Sequence, residues 1–240
     1  MTLSSRQRSH LAAMGIQRWV GRHDVVIEDE VAPPAAPPPE ADSGAAQQPM
    51  IAVEKMDWEA LTQAIQTCTA CKLHEQRTRA VVGTGNRRAE WMIIGEAPGE
   101  QEDLQGEPFV GRAGILLNNI LASVGLGRDT VYIANVIKCR PPGNRDPAAD
   151  EIAACLGYLQ RQIALIEPRL ILIVGRVAAQ TLLQTDQPIG KIRGTVYHYG
   201  SGKIPVVVTY HPAYLLRRPG EKAKTWQDLK LALKHFSPTA

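Results

Sequence analysis

Apolar residues gather along this chain into four short runs: Trp91-Met-Ile-Ile-Gly95, Val131-Tyr-Ile-Ala-Asn-Val-Ile137, Leu170-Ile-Leu-Ile-Val-Gly175 and Pro205-Val-Val-Val-Thr209. They are rich in β-branched side chains and hardly broken by polar positions, which predicts strands buried on both faces rather than strands with one wet side. Between and after them, apolar positions recur at helical spacing over residues 113–125, 148–166, 176–184 and 222–235. Asp146-Pro147, ahead of the second of these, predicts a capping residue followed by a proline in the first turn. A further helix over 57–67 precedes the first strand. Strands alternating with helices predict an α/β fold with a parallel sheet covered on both faces. Ligands in such a sheet sit beyond the carboxyl ends of the strands, so the segment after each run is where chemistry is expected.

The pattern changes before residue 57. Residues 1–22 carry four arginines and no acid, with Leu11, Met14, Ile16, Trp19 and Val20 clustered at helical spacing. Residues 32–49 hold six of the 17 prolines and too few large apolar side chains to offset the entropy of ordering. This predicts a flexible N-terminal extension, 1–56, with a short helix and a Pro/Ala-rich linker, followed by a folded domain, 57–240. Three readings of 1–22 stand side by side: a peptide that docks on a protein partner, a solvated segment, and an organelle transit peptide.

Composition narrows the class. At 240 residues, 44% hydrophobic and 21% charged, the chain has ordinary globular composition. No stretch approaches the roughly 18 apolar residues of a membrane span, and no apolar run opens the chain as a secretion signal would, so a cytoplasmic protein is expected. The net charge of +3 is unevenly divided: residues 1–56 hold five Lys/Arg against seven Asp/Glu, leaving +5 on the remainder. That excess is compatible with a polyanionic partner and too small to demonstrate one.

Four cysteines are too few for a disulfide scaffold, which turns attention to metal ligation. Cys68 and Cys71 form a C-x2-C pair, and Cys139 and Cys155 complete a set of four. Zinc and a 4Fe-4S cluster both take four thiolates, and unligated core thiols are a third reading; spacing does not choose among them. In either liganded case the site ties the Cys68 helix to the Cys139 loop and the Cys155 helix.

The segments after the strands carry the remaining chemistry. Gly95-Glu-Ala-Pro-Gly-Glu-Gln-Glu-Asp103 and Gly106-Glu-Pro-Phe-Val-Gly-Arg-Ala-Gly114 form a long, shaped loop that can approach a ligand closely, with no Gly-Lys-Ser/Thr at phosphate-loop spacing. After the second run come Asn135 and Lys138-Cys-Arg-Pro-Pro-Gly-Asn-Arg145; after the fourth comes Tyr210-His-Pro-Ala-Tyr-Leu-Leu-Arg-Arg218. Lys138, Arg140 and Arg145 read equally as phosphate contacts or as solvated charges.

Together, Gly95-Glu-Ala-Pro-Gly99 with Glu102-Asp103, Pro108-Phe-Val-Gly-Arg-Ala-Gly114, Asn135 before Cys139-Arg-Pro-Pro-Gly-Asn-Arg145, and His211-Pro-Ala-Tyr-Leu-Leu-Arg217 resemble the family 4 uracil-DNA glycosylases, the iron–sulfur branch of that superfamily. The resemblance covers residues 57–236 and all four cysteines. It implies a three-layer α/β/α fold with a central four-stranded parallel sheet and a structural 4Fe-4S cluster on Cys68, Cys71, Cys139 and Cys155. It also implies excision of uracil from single- or double-stranded DNA by a monomeric bacterial, nucleoid-associated enzyme that starts base excision repair.

On the matched positions, Phe109 stacks on the flipped base, Asn135 reads its Watson–Crick edge and His211 donates to O2, where charge accumulates as the glycosidic bond breaks. Glu102 matches the position that crowds the C5 edge and so excludes the thymine methyl. Ala97 lines the base site where better-known uracil glycosylases carry Asp, so Glu96 becomes the candidate for orienting water, with a backbone carbonyl or a structural Glu96 as alternatives. Leu215 and Leu216 are candidate wedges into DNA and Arg217 a phosphate partner; the alternative is that the leucines cap the core.

Two other readings compete. Covalent uracil-trapping relatives carry Gln at the position of Ala97 and a basic insert with a trapping His, and here Phe-Val-Gly-Arg-Ala-Gly114 runs directly into Ile-Leu-Leu117. A non-catalytic cysteine–metal module that binds nucleic acid would have no need of Glu96, Asn135 and His211 together.

Overall fold

A computed structural model of the chain describes residues 53–236, which fall within the compact unit Gly44–Ala240; the readings of residues 1–22 and of the linker lie outside them. Six strands form: β1 (Thr84–Gly85), β2 (Trp91–Gly95), β3 (Tyr132–Asn135), β4 (Leu170–Val174), β5 (Val196–Tyr199) and β6 (Ile204–Thr209). They pair in the order β1-β3-β2-β4-β6-β5. The four apolar runs are the interior, β3-β2-β4-β6, joined by parallel ladders, while β1 and β5 close the edges antiparallel. The sheet is therefore mixed and six-stranded, not a bare four-stranded parallel one. Its edge strands left no apolar run to read, because β1 has two residues and no position of β5 is buried.

Among the described residues eight α-helices surround the sheet: α1 (Trp58–Gln66), α2 (Glu100–Gln105), α3 (Arg112–Ala122), α4 (Ala149–Ile166), α5 (Arg176–Leu183), α6 (Ile189–Ile192), α7 (Pro212–Arg217) and α8 (Lys222–His235). Asp57 caps α1, its Oδ1 accepting from the Ala60 N–H at 2.9 Å. Helix α4 starts later than Asp146-Pro147 predicts. Its first turn is held instead by Glu151, whose Oε2 accepts from the Ala148 N–H at 2.8 Å, and Asp146 is drawn away into an ion pair with Arg176. Among the described residues no helix is long and apolar enough to cross a membrane.

Side chains alternate across a strand, so each inner strand feeds two cores. Met92, Ile94, Ile171, Ile173, Val206 and Val208 face one, closed by Leu159 and Ile163 of α4 and Ala178 and Ala179 of α5. Trp91, Ile93, Ile133, Leu170, Leu172 and Val207 face the other, closed by Leu117 and Leu121 of α3 and Leu229 and Ala232 of α8. Helices thus cover both faces, and each wholly buried aliphatic side chain contributes about 1.5–3 kcal/mol. That rigid slab delivers every inner strand's carboxyl end to the same edge of the molecule, where the loops diverge.

Candidate active site

A cavity of about 420 Å³ opens at that edge, lined by the ends of β2, β3 and β6, with β4 behind His211. Glu96 and Ala97 follow β2, Asn135 ends β3, Gly175 follows β4 and His211 follows β6. A hollow of about 470 Å³ beside β5 is somewhat larger, but it lies away from the carboxyl ends of the parallel strands and no buried unpaired polar atom faces it. Position and chemistry, not size, pick the site.

The floor is glycine. Gly95 pairs in register with Asn135, and a Cβ placed on it would lie 2.5 Å from Asn135 Oδ1 and 2.6 Å from Phe109 Cζ. Asn135 is 2% exposed, and its Oδ1 has no hydrogen-bond partner. A buried acceptor left unpaired costs on the order of 1–3 kcal/mol, an expense justified when a ligand N–H completes the bond.

Phe109 forms one wall, its ring 5.5 Å from that of His211 at 31°. It holds a left-handed backbone (φ 55°), unusual outside glycine. Two clamps keep it there. Arg128 donates through Nη1 to the Phe109 carbonyl at 3.1 Å and through Nη2 to the Pro108 carbonyl at 2.8 Å. On the other side the Glu102 carboxylate accepts from the N–H groups of Val110 at 3.0 Å, Gly111 at 3.2 Å and Gly99 at 3.1 Å. Glu102 therefore lines the cavity, and its oxygens are committed to bracing the two loops that frame it. Neighbouring Asp103, 4% exposed, ties the same helix to the N–H of Thr78 at 3.0 Å.

His211 caps α7, its Nδ1 accepting from the Ala213 N–H at 3.1 Å. Burial first, and the nearby Arg217 charge second, push its pKa down to about 4. The ring is therefore neutral at physiological pH, and with Nδ1 occupied as an acceptor its proton sits on Nε2. That makes His211 a neutral donor on the cavity wall. Gly175 (φ 108°) lies beneath it, where a Cβ would come within 3.3 Å of the imidazole Cδ2.

Glu96 is half-buried on the opposite side, and burial, then the negative charge of Asp146, raise its pKa to about 7. Ala97 presents only a methyl, so no polar side chain stands at that position.

The DNA-side residues divide. Leu215 is 0% exposed on α7, a helix that packs against α3; it belongs to the packing and has no access to DNA, which corrects its reading as a wedge. Leu216 is 37% exposed and Arg217 lines the cavity. Among the neighbouring cations, Arg145 is engaged with Glu151, Arg140 donates to Asn144 Oδ1 at 2.8 Å, and Lys138 is 1% exposed, so it is neither solvated nor open to a phosphate.

Behind the cavity, Cys68, Cys71, Cys139 and Cys155 line one hollow. Three N–H groups aim at their sulfurs: Ala70 at Cys68 (3.5 Å), Arg77 Nη1 at Cys139 (3.2 Å) and the Lys138 backbone at Cys155 (3.3 Å). Neutral thiols are weak acceptors, so such a set of donors suits thiolates. Burial raises the pKa of Cys71, Cys139 and Cys155, the last to about 12. A positive centre among them is what would favour the thiolates.

Sequence reasoning missed Arg128 and Gln162. A lone arginine in a Gly-Leu-Gly-Arg turn carries no signal of its grip on Phe109, and Gln162 sits unmarked inside the α4 pattern.

This edge-of-sheet cavity, with an aromatic wall, a buried unpaired amide and a neutral histidine, has the makings of an α/β enzyme site, and a family model described as the uracil DNA glycosylase superfamily matches residues 82–230. The chain is 45% identical over 177 residues to a type-4 uracil-DNA glycosylase of Archaeoglobus fulgidus, covering 71% of this chain and 88% of that protein. It is 46% identical over 177 residues to one of Saccharolobus solfataricus (71% and 82% covered) and 46% over 160 residues to one of Thermotoga maritima (66% and 83%). The chain belongs to the type-4 uracil-DNA glycosylases of that superfamily.

Proposed function

We propose that this protein excises uracil from DNA by hydrolysing its N-glycosidic bond, the first step of base excision repair. One observation carries the reading: Asn135 Oδ1, buried and unpaired at the cavity floor, has the chemistry to accept from uracil N3–H. Cytosine has no hydrogen on N3 and would leave that acceptor unsatisfied, a mismatch that polar sites reject strongly. The uracil must be flipped out of the duplex to enter, and Phe109 gives its face a stacking surface.

Bond cleavage leaves oxocarbenium character on the sugar and negative charge on the departing base. The neutral His211 donates from Nε2 to the developing oxyanion at O2, without needing to transfer a proton. Glu96, with a pKa of about 7, is ionised in about half of the molecules at neutrality and orients the attacking water in its carboxylate form. Leu216 enters the stack beside the flipped nucleotide and Arg217 meets a phosphate.

Cys68, Cys71, Cys139 and Cys155 would hold a 4Fe-4S cluster, which fits their four sulfurs and the three N–H donors aimed at them. Bound there, the cluster cross-links the start of the domain to the loop after β3 and to α4; no step of the excision passes through it. The enzyme acts as a monomer in the compartment that holds the chromosome.

The test is cleavage of a labelled oligonucleotide bearing a single uracil, beside a thymine control and the Asn135→Asp variant, with abasic sites revealed by alkali. Excision of uracil alone, with the variant gaining activity on cytosine, is the expected result. Intact strands after incubation with iron-loaded protein would sink the catalytic reading, and iron and sulfide analysis of the same sample tests the cluster.

A further inference from the structure

Directly behind the base-reading amide the chain buries a lysine. Lys138 is 1% exposed, and its Nζ donates to the backbone oxygen of Asn135 at 2.9 Å and to Gln162 Oε1 at 2.6 Å. Gln162, 0% exposed, is itself fixed, donating to the Val82 carbonyl at 2.8 Å and to the Tyr132 hydroxyl at 3.3 Å. The backbone N–H of Lys138 meets Cys155 Sγ at 3.3 Å, and Cys139 is the next residue.

A buried ammonium is strongly unfavourable unless an opposite charge faces it. Among the described residues no carboxylate forms an ion pair with Lys138, and its two hydrogen-bond partners are neutral oxygens. The sulfurs beside it are those of Cys155, which accepts from its backbone N–H, and of Cys139, the next residue; they carry negative charge only as deprotonated ligands. Four thiolates outweigh the positive charge of a cluster core, so a loaded site is a net anion on the side of Lys138 where a counter-ion is otherwise missing.

We infer that Lys138 is a positioning residue that couples the cysteine site to uracil recognition, its cation answering the thiolate-ligated cluster while its Nζ fixes Asn135. The inference rests on the function and cluster proposed above. Holding the Asn135 carbonyl fixes the peptide plane that follows that residue, and with it the direction of its side chain. The clearance is small: Oδ1 lies 2.5 Å from where a Cβ of Gly95 would be, so even a modest tilt of residue 135 moves the acceptor against the floor. Misplacing a recognition group by about 1 Å costs on the order of 10²-fold. The cluster thereby acquires a second consequence besides cross-linking: it keeps the lysine, and through it the reading amide, in place.

A double-mutant cycle on the iron-loaded full chain tests this. Lys138→Met, Asn135→Ala and the double variant are compared for affinity toward an oligonucleotide carrying a non-hydrolysable 2′-fluoro-deoxyuridine, and the cluster's midpoint potential is titrated in wild type and Lys138→Met. The expected result is that Lys138→Met weakens binding by about 10-fold or more alone, leaves it nearly unchanged when Asn135 is already Ala, and lowers the potential, because a cation beside the cluster favours the more negative reduced state. Equal losses in both backgrounds, or an unaltered potential, would overturn the inference. If Lys138→Met does not fold, Gln162→Met, which leaves the lysine but removes one of the two oxygens that hold its Nζ, takes its place in the binding cycle, with a smaller loss that again depends on Asn135; an equal loss in both backgrounds overturns it there too. Wild-type protein that leaves uracil in DNA would overturn the function itself, whereas excision with an additive cycle overturns only the coupling.

Discussion

The cavity and the cysteine hollow share one stretch of chain, Asn135–Cys139, yet they treat polar groups in opposite ways. In the cavity an acceptor is left unpaired, a carboxyl is held near its midpoint at neutral pH, and a histidine is kept uncharged. In the hollow three of the four sulfurs already receive N–H donors, those of Cys68, Cys139 and Cys155. An unpaired acceptor is where a ligand can finish the bonding, whereas donors already aimed at sulfur hold the site from within.

The sharpest way to break that contrast is His211→Leu, which removes the neutral donor. A loss of about 10²–10³-fold in kcat is expected, since the donor acts in the transition state, beside a fall in melting temperature of only the size a lost helix cap gives, because Nδ1 of His211 also caps α7; calorimetry beside single-turnover excision reads both. Next comes Glu96→Gln, with a loss of roughly 10²-fold, near the low end for a general base. Its signature is in pH. Because the carboxyl's pKa is raised to about 7, the working carboxylate forms only as pH climbs through that value, so wild-type kcat/KM rises there. His211, neutral above about pH 4, adds no limb in the same window. The same rise persisting in Glu96→Gln would remove Glu96 from the chemistry.

Cys71→Ser addresses the other side of the contrast. Iron content and melting temperature should fall while kcat of the iron-loaded fraction stays within a few-fold of wild type. A 10²-fold lower kcat in fully loaded protein would mean that the hollow reaches into the chemistry. Smallest is Leu216→Ala, expected to cost about tenfold on duplex and little on single-stranded substrate, because only the duplex requires a base step to be unstacked.

The inner sheet was legible because β2, β3 and β4 are buried at every position, leaving unbroken apolar runs. The two-residue β1 and the half-exposed β5 escaped because their pairing is a matter of backbone hydrogen bonds to a neighbour, not of side-chain pattern. Helix α7 was hidden inside what read as a DNA-entering loop, although His211 before Pro212 is a cap followed by a first-turn proline. That helix decides between the paired leucines, turning Leu215 into the core and Leu216 out. The cavity residues were legible through family likeness, whereas Lys138 was read as a surface charge: a cation beside Arg140 and Arg145 gives no sign that its methylenes and ammonium lie under the sheet's edge.

The floor at Gly95 has a meaning for anyone who would redesign this enzyme. Most binding sites can be deepened by trimming a side chain, but here the main chain of Gly95 lies directly beneath the Asn135 amide and the Phe109 ring. Gly95 itself has nothing to trim, and a Cβ placed there would press on both groups. The depth of the cavity at this point is thus inherited from the spacing of two adjacent strands, so changing it there would demand a different register of β2 on β3, not a substitution of Gly95.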